Sequence, residues 1–60
     1  MNEYDLASWL ISVRDIMAQR EFISKQDAEE QISYSIDFFT DQYEGGYTPM
    51  ESYMEYAANE

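Results

Sequence analysis

The fold is decided by the stretch 6-LASWLISVRDIM-17, in which apolar residues recur at steps of three and four. In a helix, six of these apolar residues would lie on one stripe: Leu6, Trp9, Leu10, Val13, Ile16 and Met17. Such a stripe is typical of an amphipathic helix that packs on one face, and it predicts a first helix over about residues 3–20. Asn2 is its predicted N-cap, and Asp5 completes a capping pair three residues later. Trp9 is expected to anchor the core.

A second helix is predicted over about residues 25–43 from the same kind of period. Ser24 followed by Asp27 matches the pattern of an N-cap and its partner. Gly45-Gly46 ends the helix, because glycine accepts the left-handed backbone conformation found just past many helices. On a wheel of about 100° per residue, the inner face carries Ala28, Ile32, Ser35, Ile36, Phe39 and Tyr43.

The clearest local pattern in the chain, Thr48-Pro49-Met50-Glu51, predicts a third helix over about residues 49–58. Thr48 is the cap, proline takes the first helical position, and Glu51 closes a capping box. The inner face is predicted to carry Met50, Tyr53, Met54 and Ala57. With no strand pattern, linker or repeat, the sequence predicts one all-α domain over residues 1–60. Its architecture is a small three-helix bundle or an open three-helix arrangement.

Charge is distributed unevenly along the 60 residues, which carry 13 acids, three cations and a net charge of −10. The cations Arg14, Arg20 and Lys25 all precede residue 26, and residues 26–60 hold nine acids without a cation. This balance repels phosphate, so direct binding to nucleic acid or to an anionic membrane is not expected. A basic protein surface is the expected partner.

The predicted second helix carries an acidic stripe opposite its inner face, formed by Asp27, Glu30, Asp37, Asp41 and Glu44. Tyr34 lies within this stripe, and Glu51 and Glu55 form an i, i+4 pair on the third helix. A merely solvated face normally mixes signs, whereas like charges one turn apart cost about 0.2–0.5 kcal/mol per pair. The sequence therefore predicts a partner-binding surface of Asp27, Glu30, Tyr34, Asp37, Asp41, Glu44, Glu51, Glu55 and Tyr56.

The remaining aromatic and apolar residues divide between core and surface. Tyr43 and Tyr53 fall on inner faces, and Met17, Met50 and Met54 are expected to fill the core. Ile11 and Phe22 have no obvious core position, so they indicate either a dimer contact or an apolar part of the partner surface.

Several classes of chemistry are excluded by residue type. The chain has no histidine and no cysteine, which removes the usual general base and the thiol nucleophile. Asp37, Asp41 and Glu44 do not have the spacing of a calcium-binding loop. We therefore expect no enzymatic activity, no cofactor and no specific metal site. Neither a membrane span nor a basic signal sequence is present, so a soluble cytoplasmic protein is expected.

In size, acidity and lack of catalytic residue types, the chain resembles the small DNA-mimic proteins of phages and mobile elements, which include antirestriction and anti-CRISPR inhibitors. The resemblance is one of class and carries no motif or residue role. It implies a non-enzymatic inhibitor that fills the nucleic-acid-binding groove of a host defence or DNA-processing complex in the host cytoplasm. Carboxylates on successive helix turns, about 5–6 Å apart, lie on the scale of phosphate spacing.

Two other functions fit the same sequence. One is a small adaptor or antitoxin-like protein that grips one specific partner through Ile11, Phe22, Tyr34 and Tyr56. The other is a structural protein that dimerises along an exposed apolar strip, since a 60-residue monomer has a small core.

Overall fold

The computed structural model describes residues 5–59, and every element in this range is helical. In chain order the helices are α1, Leu6–Glu21; α2, Lys25–Tyr34; α3, Ile36–Glu44; and α4, Pro49–Ala58. The all-α prediction is confirmed. The predicted number of three helices is wrong for the described residues, because the chain breaks at Ser35 and divides the predicted second helix into α2 and α3.

Helix α1 begins later than predicted. The Asp5 carboxylate accepts a hydrogen bond from the Ser8 backbone N–H at 2.8 Å, so Asp5 is the N-cap and Leu6 the first helical residue. The predicted cap, Asn2, lies outside the described residues. The apolar stripe is confirmed, because Trp9, Val13 and Met17 are fully buried.

Helix α1 ends in a left-handed residue that is not glycine. Phe22 has φ 57° and ψ 43°, and the next residue, Ile23, donates its N–H to the Ala18 carbonyl at 3.1 Å. This six-residue closure is a Schellman motif. The same motif follows α3, where the left-handed residue is Gly46 with φ 86°. Glycine is the residue expected there, whereas a bulky side chain is unfavourable in this conformation.

The break at Ser35 has a packing cause. Ser35 donates its N–H to the Ile32 carbonyl at 3.1 Å and has φ −117° and ψ 30°, outside the helical range. After the break, Phe39 is buried, and its ring centroid lies 5.1 Å from that of Phe38 and 5.2 Å from that of Tyr56. Aromatic pairs contribute about 0.5–1.5 kcal/mol each beyond burial, against about 0.5–1.5 kcal/mol for one lost helical hydrogen bond. The two pairs Phe38–Phe39 and Phe39–Tyr56 together can therefore offset one interrupted helical hydrogen bond.

Trp9 lies at the centre of the core. Its Nε1–H donates to the Tyr47 carbonyl at 2.9 Å, which ties α1 to the loop between α3 and α4. The Tyr43 ring meets the indole edge-on at a centroid distance of 5.6 Å. The core cluster around it consists of Trp9, Val13, Met17, Ala28, Ile32, Phe39 and Tyr53.

Helix α4 starts as predicted but buries a different face. The capping box is confirmed: Thr48 Oγ1 accepts from the Glu51 N–H at 3.1 Å, and Glu51 Oε1 accepts from the Thr48 N–H at 2.9 Å. Tyr53 is buried as predicted, together with Ser52. The predicted inward residues Met50, Met54 and Ala57 are exposed. Their prediction was wrong by about one residue step, or 100°, around the helix.

Polar contacts explain this rotation of α4. The Tyr53 hydroxyl donates to the Glu21 carboxylate at 3.0 Å, and the Tyr56 hydroxyl to Gln31 Oε1 at 3.3 Å. The Gln31 amide in turn donates to Glu21 at 3.3 Å. Burying a hydroxyl without a partner costs about 1–3 kcal/mol, so α4 turns the face that satisfies its tyrosines toward α1 and α2.

Replacing Phe22 with glycine is expected to stabilise the domain. The left-handed conformation costs a non-glycine residue about 1–2 kcal/mol, and the greater freedom of glycine in the unfolded chain offsets about 0.5–1 kcal/mol of that. The ring is 94% exposed, so its removal loses almost no packing. Urea unfolding followed by circular dichroism should give Phe22→Gly a gain of about 0.5–1 kcal/mol. Phe22→Ala, which keeps the unfavourable φ, is the control and should gain much less; a glycine variant less stable than wild type would contradict the assignment.

The Asp5 cap should give stability a specific pH dependence. Hydrogen bonds from the Ser8 backbone N–H and then its hydroxyl lower the pKa of Asp5 below 3.8. The cap's charge-dependent contribution is therefore complete above that value and is lost as pH falls through the lower, folded pKa. Asparagine caps comparably but does not titrate. The stability difference between wild type and Asp5→Asn should stay constant at neutral pH and shrink below about pH 4. If the free energies of unfolding of wild type and Asp5→Asn differ by the same amount from neutral to acid pH, the prediction is wrong.

Candidate partner-binding surface

Every carboxylate predicted for the partner-binding surface is exposed: Asp27, Glu30, Asp37, Asp41, Glu44, Glu51 and Glu55. Tyr34, the last residue of α2, lies among them and is 82% exposed. The aromatic ring and the acids are therefore available to a partner without any change in the fold.

The break at Ser35 changes the geometry of the predicted acidic stripe. Asp27 and Glu30 lie on α2, opposite the buried Ala28 and Ile32, whereas the other three acids lie on α3. The stripe is therefore two short sets on separate axes rather than one continuous rod. On α3 the spacing of i, i+4 and i+7 still places three carboxylates on the face opposite Phe39. We call this set the acidic ladder: Asp37, Asp41 and Glu44.

The three cations of the chain lie away from the acidic ladder. Arg14 Nη2 contacts Asp15 Oδ1 at 2.9 Å, and its Nη1 lies 3.8 Å from Glu29 Oε1. Lys25 Nζ lies 3.7 Å from the same Asp15 oxygen. The Arg14 guanidinium, through its hydrogen bonds, holds the pKa of Asp15 below its usual value.

Arg20 also points elsewhere, with Nη2 3.9 Å from the Met50 sulfur. Among residues 5–59, no cation comes within ion-pair distance of the acidic ladder, Asp27, Glu30, Glu51 or Glu55. The negative field of this surface is therefore uncompensated inside the described fold, and its effect reaches into solvent over about one Debye length, 8–10 Å at physiological salt.

The acids of α4 have structural roles as well. Glu51 closes the capping box, and Glu55 Oε1 accepts from the Asn59 amide at 3.2 Å. Together with Gln42 and Tyr47 they line a shallow polar recess. Tyr47, which is not among the predicted partner-binding residues, directly follows Gly46, and its backbone N–H donates to the Gln42 carbonyl at 3.1 Å.

Tyr56 lies at the edge of the core rather than fully at the surface. Its ring contacts Phe38 and Phe39 at centroid distances of 6.3 and 5.2 Å, and it is half-buried. Tyr34 is therefore the better placed of the two predicted surface tyrosines. Phe22, at the corner between α1 and α2, is the most exposed large apolar side chain among the described residues.

The structure also reveals an apolar groove that the sequence did not predict. It is formed by Leu10 and Ile11 of α1, Ile32 of α2 and Ile36 of α3, and it has a volume of about 330 Å³. Ile11 and Ile36 are 49% and 39% exposed. Ile36 had been predicted to face the core, which is wrong, because the break at Ser35 leaves it at the mouth of the groove. The available sequence signal was Ile11, which falls outside the apolar stripe of α1.

The sequence matches no protein-family model, no curated protein and no solved structure. Within the described range, no three acidic side chains converge as metal ligands. No helix between residues 5 and 59 is long and apolar enough to cross a membrane. Inferences about function therefore depend on the chemistry of the acidic and apolar surfaces themselves.

The acidic ladder should reduce stability where it meets the end of α3. Glu44 is the last residue of this helix, and negative charge at a helix C-terminus is unfavourable by about 0.3–1 kcal/mol. Glu44→Lys should therefore be more stable than Asp27→Lys, which places the same charge change in the first turn of α2. The two variants have the same net charge, so a difference between them reports the helix dipole. We expect their free energies of unfolding, measured with urea at low salt, to differ by about 1 kcal/mol or more. Equal stabilities would show that Glu44 is not unfavourable at the C-terminus of α3.

Proposed function

We propose that this chain is a non-enzymatic inhibitor that binds the basic nucleic-acid-binding surface of a host nucleic-acid-processing protein by imitating the polyanion. The observation that carries the proposal is the uncompensated acidic surface of α2, α3 and α4. Its carboxylates are exposed, and the cations of the fold are paired or directed elsewhere.

The acidic ladder supports the mimicry on geometric grounds. Three carboxylates on successive turns of α3 are about 5–6 Å apart, on the scale of phosphates along a nucleic-acid strand. The Lys and Arg side chains of a phosphate-binding groove can therefore bind these carboxylates at a spacing similar to that of phosphates. The two sets of acids on α2 and α3 lie on separate axes, so the mimic is a branched surface of short segments rather than one rod.

Electrostatic steering gives this surface a kinetic advantage. Opposite net charges raise association rates by about 10–10³-fold, and the gain falls steeply with ionic strength. An inhibitor of this type occupies the groove before nucleic acid arrives and needs no bond-making chemistry. We propose that it acts in the cytoplasm of the cell that contains its target.

Tyr34 adds a contact that a phosphate backbone lacks. It is 82% exposed beside the acids of α2 and α3, and its ring face attracts guanidinium groups by about 0.5–1 kcal/mol at an exposed site. A partner arginine can therefore stack on the ring while it bonds a neighbouring carboxylate. This combination favours arginine-rich grooves.

An adaptor or antitoxin-like function is the second candidate, and Phe22 favours it. This ring is held in an unfavourable backbone conformation and is 94% exposed, as a partner-binding aromatic would be. Under this alternative, affinity depends on apolar contacts and changes little with salt. A structural homodimer has less support, because two copies would each bring a net charge of −10.

Reversal of the acidic ladder tests the proposal. The wild-type chain is used to capture its partner from host lysate, and the partner is then purified and its affinity measured as salt rises from about 50 to 200 mM. Affinity should fall by tenfold or more over this range, and double-stranded nucleic acid should compete. Asp37→Lys/Asp41→Lys/Glu44→Lys should abolish binding and inhibition while helicity is retained.

The matched control is Asp37→Glu/Asp41→Glu/Glu44→Asp, which preserves charge and should preserve binding. If the triple lysine variant binds and inhibits normally, charge mimicry is wrong. A salt-independent affinity that collapses in Phe22→Ala and Tyr34→Ala would establish the adaptor instead.

A further inference from the structure

The apolar groove lies on the surface where α1 packs against α2 and α3. Ile32 forms its floor and is 6% exposed, whereas Ile11 and Ile36 stand at its mouth. Its volume of about 330 Å³ falls at the lower end of the range for protein binding sites. The groove therefore has room for large apolar side chains rather than for an extended ligand.

We propose that this groove receives an apolar side chain presented by a basic amphipathic helix of the partner protein. The inference rests on the proposed function, and it adds an anchor to the charge contacts. A helix that lays an apolar face into such a groove presents side chains at i, i+3 and i+4, with its cations on the flanks.

The charges around the groove specify the basic flanks. Among the described residues that line the groove, Arg14 is the one cation, and its guanidinium is already engaged by Asp15 at 2.9 Å and by Glu29 at 3.8 Å. On the acidic side, Glu29 forms part of the wall, and the exposed Asp37 directly follows Ile36. Of these two acids, Glu29 is already near Arg14, whereas Asp37 forms no ion pair within residues 5–59, so a cation on the flank of the inserted helix can pair with it.

The same charges disfavour a second copy of this chain as the occupant. Each copy carries a net charge of −10, and two of its three cations, Arg14 and Lys25, already contact Asp15 of the same chain. The groove is therefore better matched to a cationic partner than to self-association.

The carboxylates and the apolar groove contribute differently to affinity and to selectivity. Exposed carboxylates attract many basic surfaces, and this attraction weakens with salt. An apolar anchor adds binding only where the target presents a matching side chain, and this contribution is insensitive to salt. Targets are thereby restricted to basic surfaces built around a helix with an exposed apolar residue.

The test uses a synthetic helical peptide with leucines at heptad positions a and d and lysines elsewhere. A control peptide has the same length and charge, with serine in place of each leucine. In methyl-labelled wild type, the leucine peptide should shift the signals of Leu10, Ile11, Ile32 and Ile36, whereas the serine peptide should not. Shifts confined to the neighbourhood of the acids would overturn the proposal without requiring any variant to fold.

Variants of the groove give the second measurement. Ile11→Ser/Ile36→Ser should weaken binding of the leucine peptide by about tenfold or more. The matched control is Met50→Ser/Met54→Ser, which removes two exposed apolar residues from α4 and should change affinity by less than about twofold. Unchanged binding by the groove variant overturns the proposal, and so does sedimentation that shows the free chain dimerising through these residues.

The two proposals fail in different ways. If the groove variant binds the leucine peptide normally while the ladder reversal loses it, the groove is refuted and charge recognition stands. If the ladder reversal still inhibits the purified target while the groove variant does not, mimicry is refuted and an apolar anchor stands.

Discussion

The hydrogen bond from the Trp9 indole to the Tyr47 carbonyl joins residues 38 apart in sequence and ties α1 to the loop between α3 and α4. With no cysteine to form a disulfide, a 60-residue chain depends on side-chain packing for its stability. A buried indole N–H without a partner would cost about 1–3 kcal/mol, so the loop after α3 must return its carbonyl to this point. The left-handed Gly46 makes that return possible, and the capping box at Thr48 then directs α4 back across the core.

Three features at the surface of the fold reduce its stability. Like charges one turn apart on α3, Glu44 at a helix C-terminus, and Phe22 in a left-handed conformation are each unfavourable locally. The core, by contrast, leaves no buried side-chain polar atom without a partner in the described range.

The break at Ser35 links the two proposed binding features. It lets Phe38 and Phe39 pack near Tyr56, and it also leaves Ile36 at the mouth of the apolar groove. The acidic ladder begins at the next residue, Asp37. The acidic ladder and the apolar groove therefore adjoin each other at this turn. One partner helix could contact both, and only its contacts with the ladder would weaken with salt.

The sequence by itself determined the helical class, the caps at Ser24 and Thr48, the glycine stop after Glu44 and the exposure of the predicted acids. These features depend on residues within about one helical turn of each other. Only the tertiary structure decided the break at Ser35, the rotation of α4 that exposes Met50 and Met54, and the groove beside Ile11. No proline or glycine marks the break, and no local pattern marks the rotation. Both result from contacts between residues distant in sequence, where the packing of aromatic rings and the pairing of buried hydroxyls outweigh local helix preference.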